Sequence, residues 1–378
     1  MTSPASAAEP LLSAGRPSAQ PGPATLPRRL VAALPSWDLI ATKHLELRKR
    51  RGLMITVAVM IVAPTVLILG LRLGFHLFDP AHYGPAGAPS VFNAIANLTA
   101  EFGFIVAAVV GAAAATTDLN DGVFRYLVIT GRSRLALYLA RIPAGLAILV
   151  SALAVAFTML CLVTAYEAAP QPTSVSMNNN ISVPAHLDQA QLQTWVDQQP
   201  QRAGQAFFVI RSGPGFGKVG SNASDITTAY GQYTSAEDSQ FNPPANEMFK
   251  IGLWLSLEVG IGFLVGLGLG SLTGQRTLST ILLIGLEIIV TPILARTTIP
   301  YFLDGQRLDV GVAMDQLRPA ALAPASPGGG PGPGGLLFGG RGALGIPAMP
   351  TWAMISVIVG WIVVWSVAGA WRMMTRDA

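Results

Sequence analysis

The sequence predicts an all-α polytopic membrane protein of six transmembrane helices. An N-terminal interfacial helix, a short cytoplasmic helix and a larger extracytoplasmic insert complete the expected architecture. Three observations lead there. Of 378 residues, 51% are hydrophobic and only 12% are charged, whereas soluble domains carry about 25% charged residues. Mean hydropathy is +0.49. Six apolar runs are long enough to cross about 30 Å of hydrocarbon: Leu53–Leu71, Val91–Ala115, Ile142–Ala165, Phe249–Leu272, Leu278–Ala295 and Trp352–Trp371. Between them, basic residues gather on alternate connections.

Residues 1–29 are rich in Pro, Ala and Ser and low in apolar bulk, the composition of a disordered tail. They contain no apolar run of the kind a cleaved signal peptide needs. Within Leu30–Arg51, the residues Trp37, Ile40, Ala41, His44 and Leu45 share a helical face, and Arg48-Lys49-Arg50-Arg51 follow. An interfacial helix is expected, its basic end toward anionic lipid. The Lys43–Arg51 cluster fixes the N-terminus in the cytoplasm by the positive-inside rule. Arg125, Arg132, Arg134, Arg141, Arg276, Arg372 and Arg376 then fall on the same side, against exceptions at Arg72, Lys250 and Arg296. Both termini are expected in the cytoplasm of a plasma-membrane protein.

The expected division is a cytoplasmic tail over 1–29, then the interfacial helix, three spans and a connecting cytoplasmic segment over 30–165. An extracytoplasmic insert covers 166–248, and three further spans cover 249–378, with a Pro/Gly-rich outer loop at 324–350. The insert is too long for a structureless connection, so a small outer subdomain is expected, helical from His186 to Trp195 and extended from Ala206 to Ile210. Its Asn180-Ile181-Ser182 and Asn222-Ala223-Ser224 match glycosylation sequons, which are chance matches in a composition of bacterial style. The single cysteine, Cys161, excludes an intrachain disulfide and a multi-cysteine metal site.

Between the second and third runs, residues Thr116–Arg141 read TTDLNDGVFRYLVITGRSRLALYLAR. Asn120 and Asp121 offer oxygens that cap a helix start. Val123, Phe124, Leu127 and Val128 recur at helical spacing, with Asp121 and Arg125 elsewhere around the turn. Gly131 suits a left-handed helix stop, and Ser133 suits the cap of the next helix. A short amphipathic helix on the cytoplasmic membrane surface is expected. The segment resembles the coupling segment of ABC-transporter permeases of the type-2 (exporter) family. There an acidic residue precedes Gly-Thr, an apolar turn follows, and a Pro-x-x-Arg element leads to a later basic residue. Asp118 or Asp121 stands for the acid, Gly122 for the glycine, Arg134 for the arginine and Arg141 for the late basic residue. Val123 replaces the threonine and Thr130-Gly131 the proline region. The helix ahead of the first span, with Glu46 before its basic run, resembles the same family.

The resemblance implies a membrane-spanning permease subunit, an exporter, that performs no bond chemistry itself. Coupling to the ATPase would run through Asp118, Asp121, Gly122, Phe124, Arg125, Leu127, Arg132 and Arg134. The partners it implies are an ABC ATPase subunit, a second copy or a paralogous permease, and the lipid membrane, with no nucleic acid. No cofactor is expected on this chain: ATP and Mg belong to the partner ATPase. In keeping with that, the nearest approach to a GxxxxGK[ST] phosphate loop is Ser212–Val219, SGPGFGKV. It lacks the first glycine and the magnesium-binding hydroxyl. The alternatives are a proton-coupled secondary transporter using intramembrane glutamates, and a noncatalytic scaffold whose outer insert binds a partner.

Two further patterns stand out. Gly262, Gly266, Gly270 and Gly274 form a ridge at i, i+4 spacing, the pattern of close helix packing in lipid. Glu101, Glu258 and Glu287 lie inside predicted spans, where an ionised carboxylate costs about 2.5–3.5 kcal/mol on insertion scales. Counted from the run ends, all three lie about 12–15 Å below the outer surface. They are expected to share a polar chamber there, with no arginine or lysine at that depth. The histidines His44, His76, His82 and His186 lack the i, i+4 pairing of a zinc helix. Asp79 and His82 are close enough for a weak site, but solvated loop residues account for them.

Overall fold

The computed structural model describes residues 35–80, 82–120, 133–167, 172–207, 223–285, 307–308, 310–322 and 349–375. These are mostly helical. Five helices are long and apolar enough to cross a membrane: α2 (Arg51–Phe78), α3 (Pro89–Asn120, apolar to Thr117), α4 (Arg134–Tyr166), α8 (Ala245–Thr273) and α11 (Thr351–Thr375). By length and composition this is a multi-pass membrane protein. For the expected fifth run, Leu278–Ala295, the structure describes a helix α9 over Arg276–Ile284; residues 286–300 lie outside the described residues.

Ahead of the first span, α1 (Trp37–Lys49) packs on α4. Leu39, Lys43 and Leu47 form its buried stripe, while Trp37, Ala41 and Leu45 are exposed. The protein-facing stripe thus lies apart from the face of Trp37, Ala41 and Leu45. Burial of Lys43 is tolerated because its Nζ donates to Glu46 Oε2 at 2.8 Å. His44 Nδ1 approaches the Ala144 carbonyl at 3.3 Å, tying α1 to α4. In α2 the hydrogen-bond ladder widens into one π turn over Ala58–Val62. Pro64 follows directly; it has no N–H and would clash with the carbonyl four residues back, so the wider turn relieves the conflict.

The centre of the bundle is a contact between α3 and α8, which run parallel. A Cβ on Gly262 would strike the Phe104 backbone, one on Gly266 the Ala108 backbone, and one on Gly270 Ala112 and Ala115. The offset between Gly262 and Phe104, Gly266 and Ala108, and Gly270 and Ala112 is the same 158 positions, so the helices stay in register over three turns. From the other side, Gly111 lies against the Phe263 and Leu267 backbone. Gly274 does something else: it sits one residue past α8 with φ 69°, a left-handed stop that glycine adopts without strain. α4 joins this pair where the Phe263 ring covers Gly145, and α11 joins where Gly369 meets Gly268 Cα and the Tyr138 hydroxyl.

A second apolar core lies within residues 172–241. It gathers Val175, Val183, Leu192, Trp195, Ala203, Phe207, Ile226 and Tyr233. A two-stranded antiparallel hairpin, β1 (Ser174–Ser176) with β2 (Ser182–Pro184), pairs Val175 with Val183. Helices α5 (Gln189–Gln198), α6 (Pro200–Ala206) and α7 (Ala223–Gln240) cover it. α5 starts three residues later than the sequence suggests, because Asp188 and Gln191 close a capping box. Ala206, expected in a strand, ends α6 instead. The Gln240 side chain takes the place of a third strand: it accepts from Ser176 N and donates to Ser176 O, both at 2.7 Å. This unit rests on the bundle through Asn242 Nδ2, which donates to Gly87 O at 3.1 Å, and through α7 against Ala320–Leu322.

Tyr233 holds the unit together. Its hydroxyl donates to Pro184 O at 2.9 Å and accepts from Leu187 N at 3.1 Å. Burial pushes its phenol above the ordinary 10.0; the Leu187 N–H opposes the rise and the nearby Glu237 carboxylate adds to it. The folded form thus keeps the proton longer than the unfolded form. Its stabilisation is full below the ordinary value and is lost as pH rises through the folded one. Cleavage of the 172–241 unit by an alkali-tolerant protease should therefore accelerate as pH rises above about 10, and Tyr233→Phe should flatten that rise.

The α3–α8 contact makes a sharper prediction. Gly266→Val should lower the detergent-solubilised protein's melting temperature, at a cost of about 1–3 kcal/mol or more for overpacking. Gly360→Ala, where an added Cβ meets nothing within 4 Å, should leave it unchanged.

Candidate functional site

The constant α3–α8 register decides where the intramembrane carboxylates lie. At an offset of 158, position 258 faces position 100, so Glu258 and Glu101 occupy one level of the seam. Glu101 is 12 residues in from Pro89 and Glu258 is 13 in from Ala245. That is about 18–20 Å along each helix, close to the middle of the two 29-residue spans. The helices begin earlier than the apolar runs, so this distance from the helix ends exceeds the roughly 12–15 Å counted from the run ends. Glu258 is half-buried. Glu287 lies outside the described residues.

One turn toward the insert side, the seam carries Asn97 on α3 and Trp254 on α8, each four residues before a glutamate. Trp254 is 7% exposed, and its Nε1 donates to the Met314 carbonyl at 3.0 Å. Met314 belongs to a short helix, α10 (Val310–Gln316), whose chain is held again where Gln316 Oε1 accepts from Met349 N at 2.9 Å. Trp361 Nε1 on α11 donates to Leu308 O at 2.8 Å. The 307–322 segment is thus folded down onto the bundle. At its end, the Arg318 guanidinium donates to Asn97 Oδ1 and lies 5.5 Å from the centroid of the Trp254 ring.

Arg318 thus lies one turn from the level of Glu101 and Glu258, at which no arginine or lysine is expected. Asn97 is 8 residues in from Pro89 and Trp254 is 9 in from Ala245, so Arg318 sits about 12–14 Å below the helix ends. Arg318 looked like a charge of a translocated loop because loop membership hides re-entry. The signal that finds it is the apolar sequence Val310-Gly311-Val312-Ala313-Met314 just ahead of it. It is too short to span and too apolar for a solvated loop. Trp254 and Asn97 drew no attention, because single polar or aromatic residues in a span have no sequence signature of their own.

At the opposite end, the expected coupling residues divide. Asp121, Gly122, Phe124, Arg125, Leu127 and Arg132 lie outside the described residues. Asp118 lies in α3, which is helical through Asn120, the last residue described before position 121. Ser133 Oγ accepts from Ala136 N at 3.1 Å and caps α4. Arg134, the first residue of α4, donates to the Met374 carbonyl at 3.1 Å and joins the ends of α4 and α11. Arg141 is 2% exposed; its Nη1 donates to the Ala115 carbonyl at 3.0 Å and fastens α4 to α3. Asp79 and His82, near the other end, answer each other, Nδ1 to Oδ2 at 2.8 Å.

No family model matches this chain, and no curated protein compared with it is similar. Its own geometry therefore carries the functional argument: two carboxylate positions at mid-span, a cation one turn away, and a clamp that joins α4 to α3 at Ala115. Arg141→Met should destabilise the solubilised protein by about 1.5–3 kcal/mol, the scale of a hydrogen bond to a charged group. Arg134→Met, nearer the surface, should cost less. Thermal unfolding of the two variants side by side tests the order.

Proposed function

We propose that this chain is the membrane-spanning permease subunit of an ATP-driven ABC transporter, an exporter, working with a separate ATPase chain. The single observation that carries the transport half is the polar level inside the α3–α8 seam. Ionisable residues are expensive at that depth and are retained where a solute or ion passes. The ATPase half rests on the resemblance of Thr116–Arg141 to a coupling segment. The clamp at Arg141 supports it mechanically. A push on the connection between α3 and α4 would be felt at Ala115, and along α3 it would reach the close-packed seam and the glutamates. Two copies, or one copy and a paralogue, would pair with two ATPase subunits in the plasma membrane, with α1 and both termini in the cytoplasm and the insert outside.

Glu258 at mid-span also favours a second reading, proton-coupled secondary transport. The two separate on the energy source: with a purified chain in vesicles, a pH gradient alone would drive the second and not the first.

Two measurements test the proposal. With Cys161 replaced by Ala, a cysteine at Ser36 should react with an impermeant maleimide only from the cytoplasm, and one at Gln198 only from outside. Reversed labelling would remove the ATPase from the side where the coupling segment lies. Phe124→Asp with Leu127→Asp should lower stimulated ATP hydrolysis by the cognate ATPase about fivefold or more, the scale of a coupling free energy of about 1–3 kcal/mol. Membrane insertion should stay intact. Undiminished stimulation in that double variant would dismiss the coupling role.

A further inference from the structure

A charged side chain from a connecting segment has no packing reason to enter the interior of a helix bundle. Arg318 nevertheless does so, and what surrounds it has the chemistry of a cation receptor. The Trp254 face offers its negative quadrupole at 5.5 Å, inside the range of cation–π attraction. Asn97 Oδ1 accepts one of the guanidinium N–H groups. One turn deeper on the same two helices come Glu101 and Glu258, the carboxylates in the inner parts of the five spans among the described residues. Aromatic face, amide oxygen and carboxylate are the donor-hungry groups that hold a flat, delocalised cation.

The cation is delivered by a tether. Residues 307–322 are pinned by two indole N–H bonds, Trp254 to Met314 and Trp361 to Leu308, and by the Gln316–Met349 bond. The two indole bonds end on backbone carbonyls of the segment and the third on its Gln316 side chain, so three points tie it to the bundle. We propose that the pocket formed by Asn97, Trp254 and Glu258 is a binding site for guanidinium-type organic cations, which Arg318 fills as a tethered stand-in and which a free ligand enters by displacing it. This names the solute class for the transport reading above, and takes from that reading only that a ligand reaches the seam.

The test uses purified full-length protein, ethylguanidinium as probe and ethylammonium as control, each at about 10 mM, a range suited to a weak fragment-sized ligand. Arg318→Ala should melt at a lower temperature than wild type, and ethylguanidinium should restore the loss saturably while ethylammonium does not. Adding Glu258→Gln should weaken that rescue. Rescue alone would follow from any guanidinium-shaped hole, so the second arm keeps Arg318. In a Cys161→Ala background, the buried Met314→Cys thiol should react with maleimide about tenfold faster when ethylguanidinium is present, as the docked population falls. Rescue without this acceleration would overturn the proposal and leave Arg318 a structural plug. Equal effects of the two amines, or no rescue, would overturn it as well. Both arms read binding without ATPase or transport, so failure of the coupling experiment leaves them untouched, and their failure leaves coupling untouched.

Discussion

The parallel contact between α3 and α8 is the interaction on which the rest of the bundle depends. In lipid, no hydrophobic drive pushes two apolar helices together, so association rests on dispersion contacts that require the backbones to approach closely. Glycine at 262, 266 and 270, facing the backbone at Phe104, Ala108 and Ala112, allows that approach. The effect appears in burial: 67% of the apolar window of α8 and 59% of that of α3 are buried, against 22% for α2 and α11. The outer helices then attach to this pair, α4 by seating Gly145 under Phe263 and α11 by bringing Gly369 to Gly268.

The same close packing sets the electrostatic problem. A seam with register fixed to the residue keeps positions 101 and 258 at one level, whether or not the two glutamates are ionised. Charges in such a place require partners or water. The Arg318 guanidinium, 5.5 Å from the Trp254 ring centroid and bonded to Asn97, supplies positive charge one turn away. Packing and polarity are thus parts of one arrangement: the glycines hold two helices in register, and the register concentrates the polar groups.

How much of this was legible in the sequence varies by the kind of signal. Long apolar runs announce helices in lipid, so the spans were readable, and so was the glycine ridge as a packing face. Helix ends were not. Polar first turns such as Ala245–Met248 are helical in the structure although hydropathy counts them as loop. Gly274 matches the ridge by spacing, but spacing cannot distinguish a packing glycine from a terminating one; φ does. The hairpin at Ser174–Pro184 has strands of three residues, too short for alternation to register. Arg318 was harder to read for a different reason: its position depends on three tertiary hydrogen bonds made by its segment, of which the short apolar sequence ahead of it is a faint local trace.

The order of the chain gives the central contact a history. α3 is synthesised well before its partner: 128 positions separate Thr117 from Ala245. They include α4 and the whole of the 172–241 unit. At about 5–20 residues per second, the small-residue face of α3 waits in the bilayer for roughly 6–26 s before α8 emerges. During that wait α3 has no α8 beside it. Both ends of the bond that joins α4 to Ala115 through Arg141 in the finished bundle are made before α8, while the seam still has only one of its two faces.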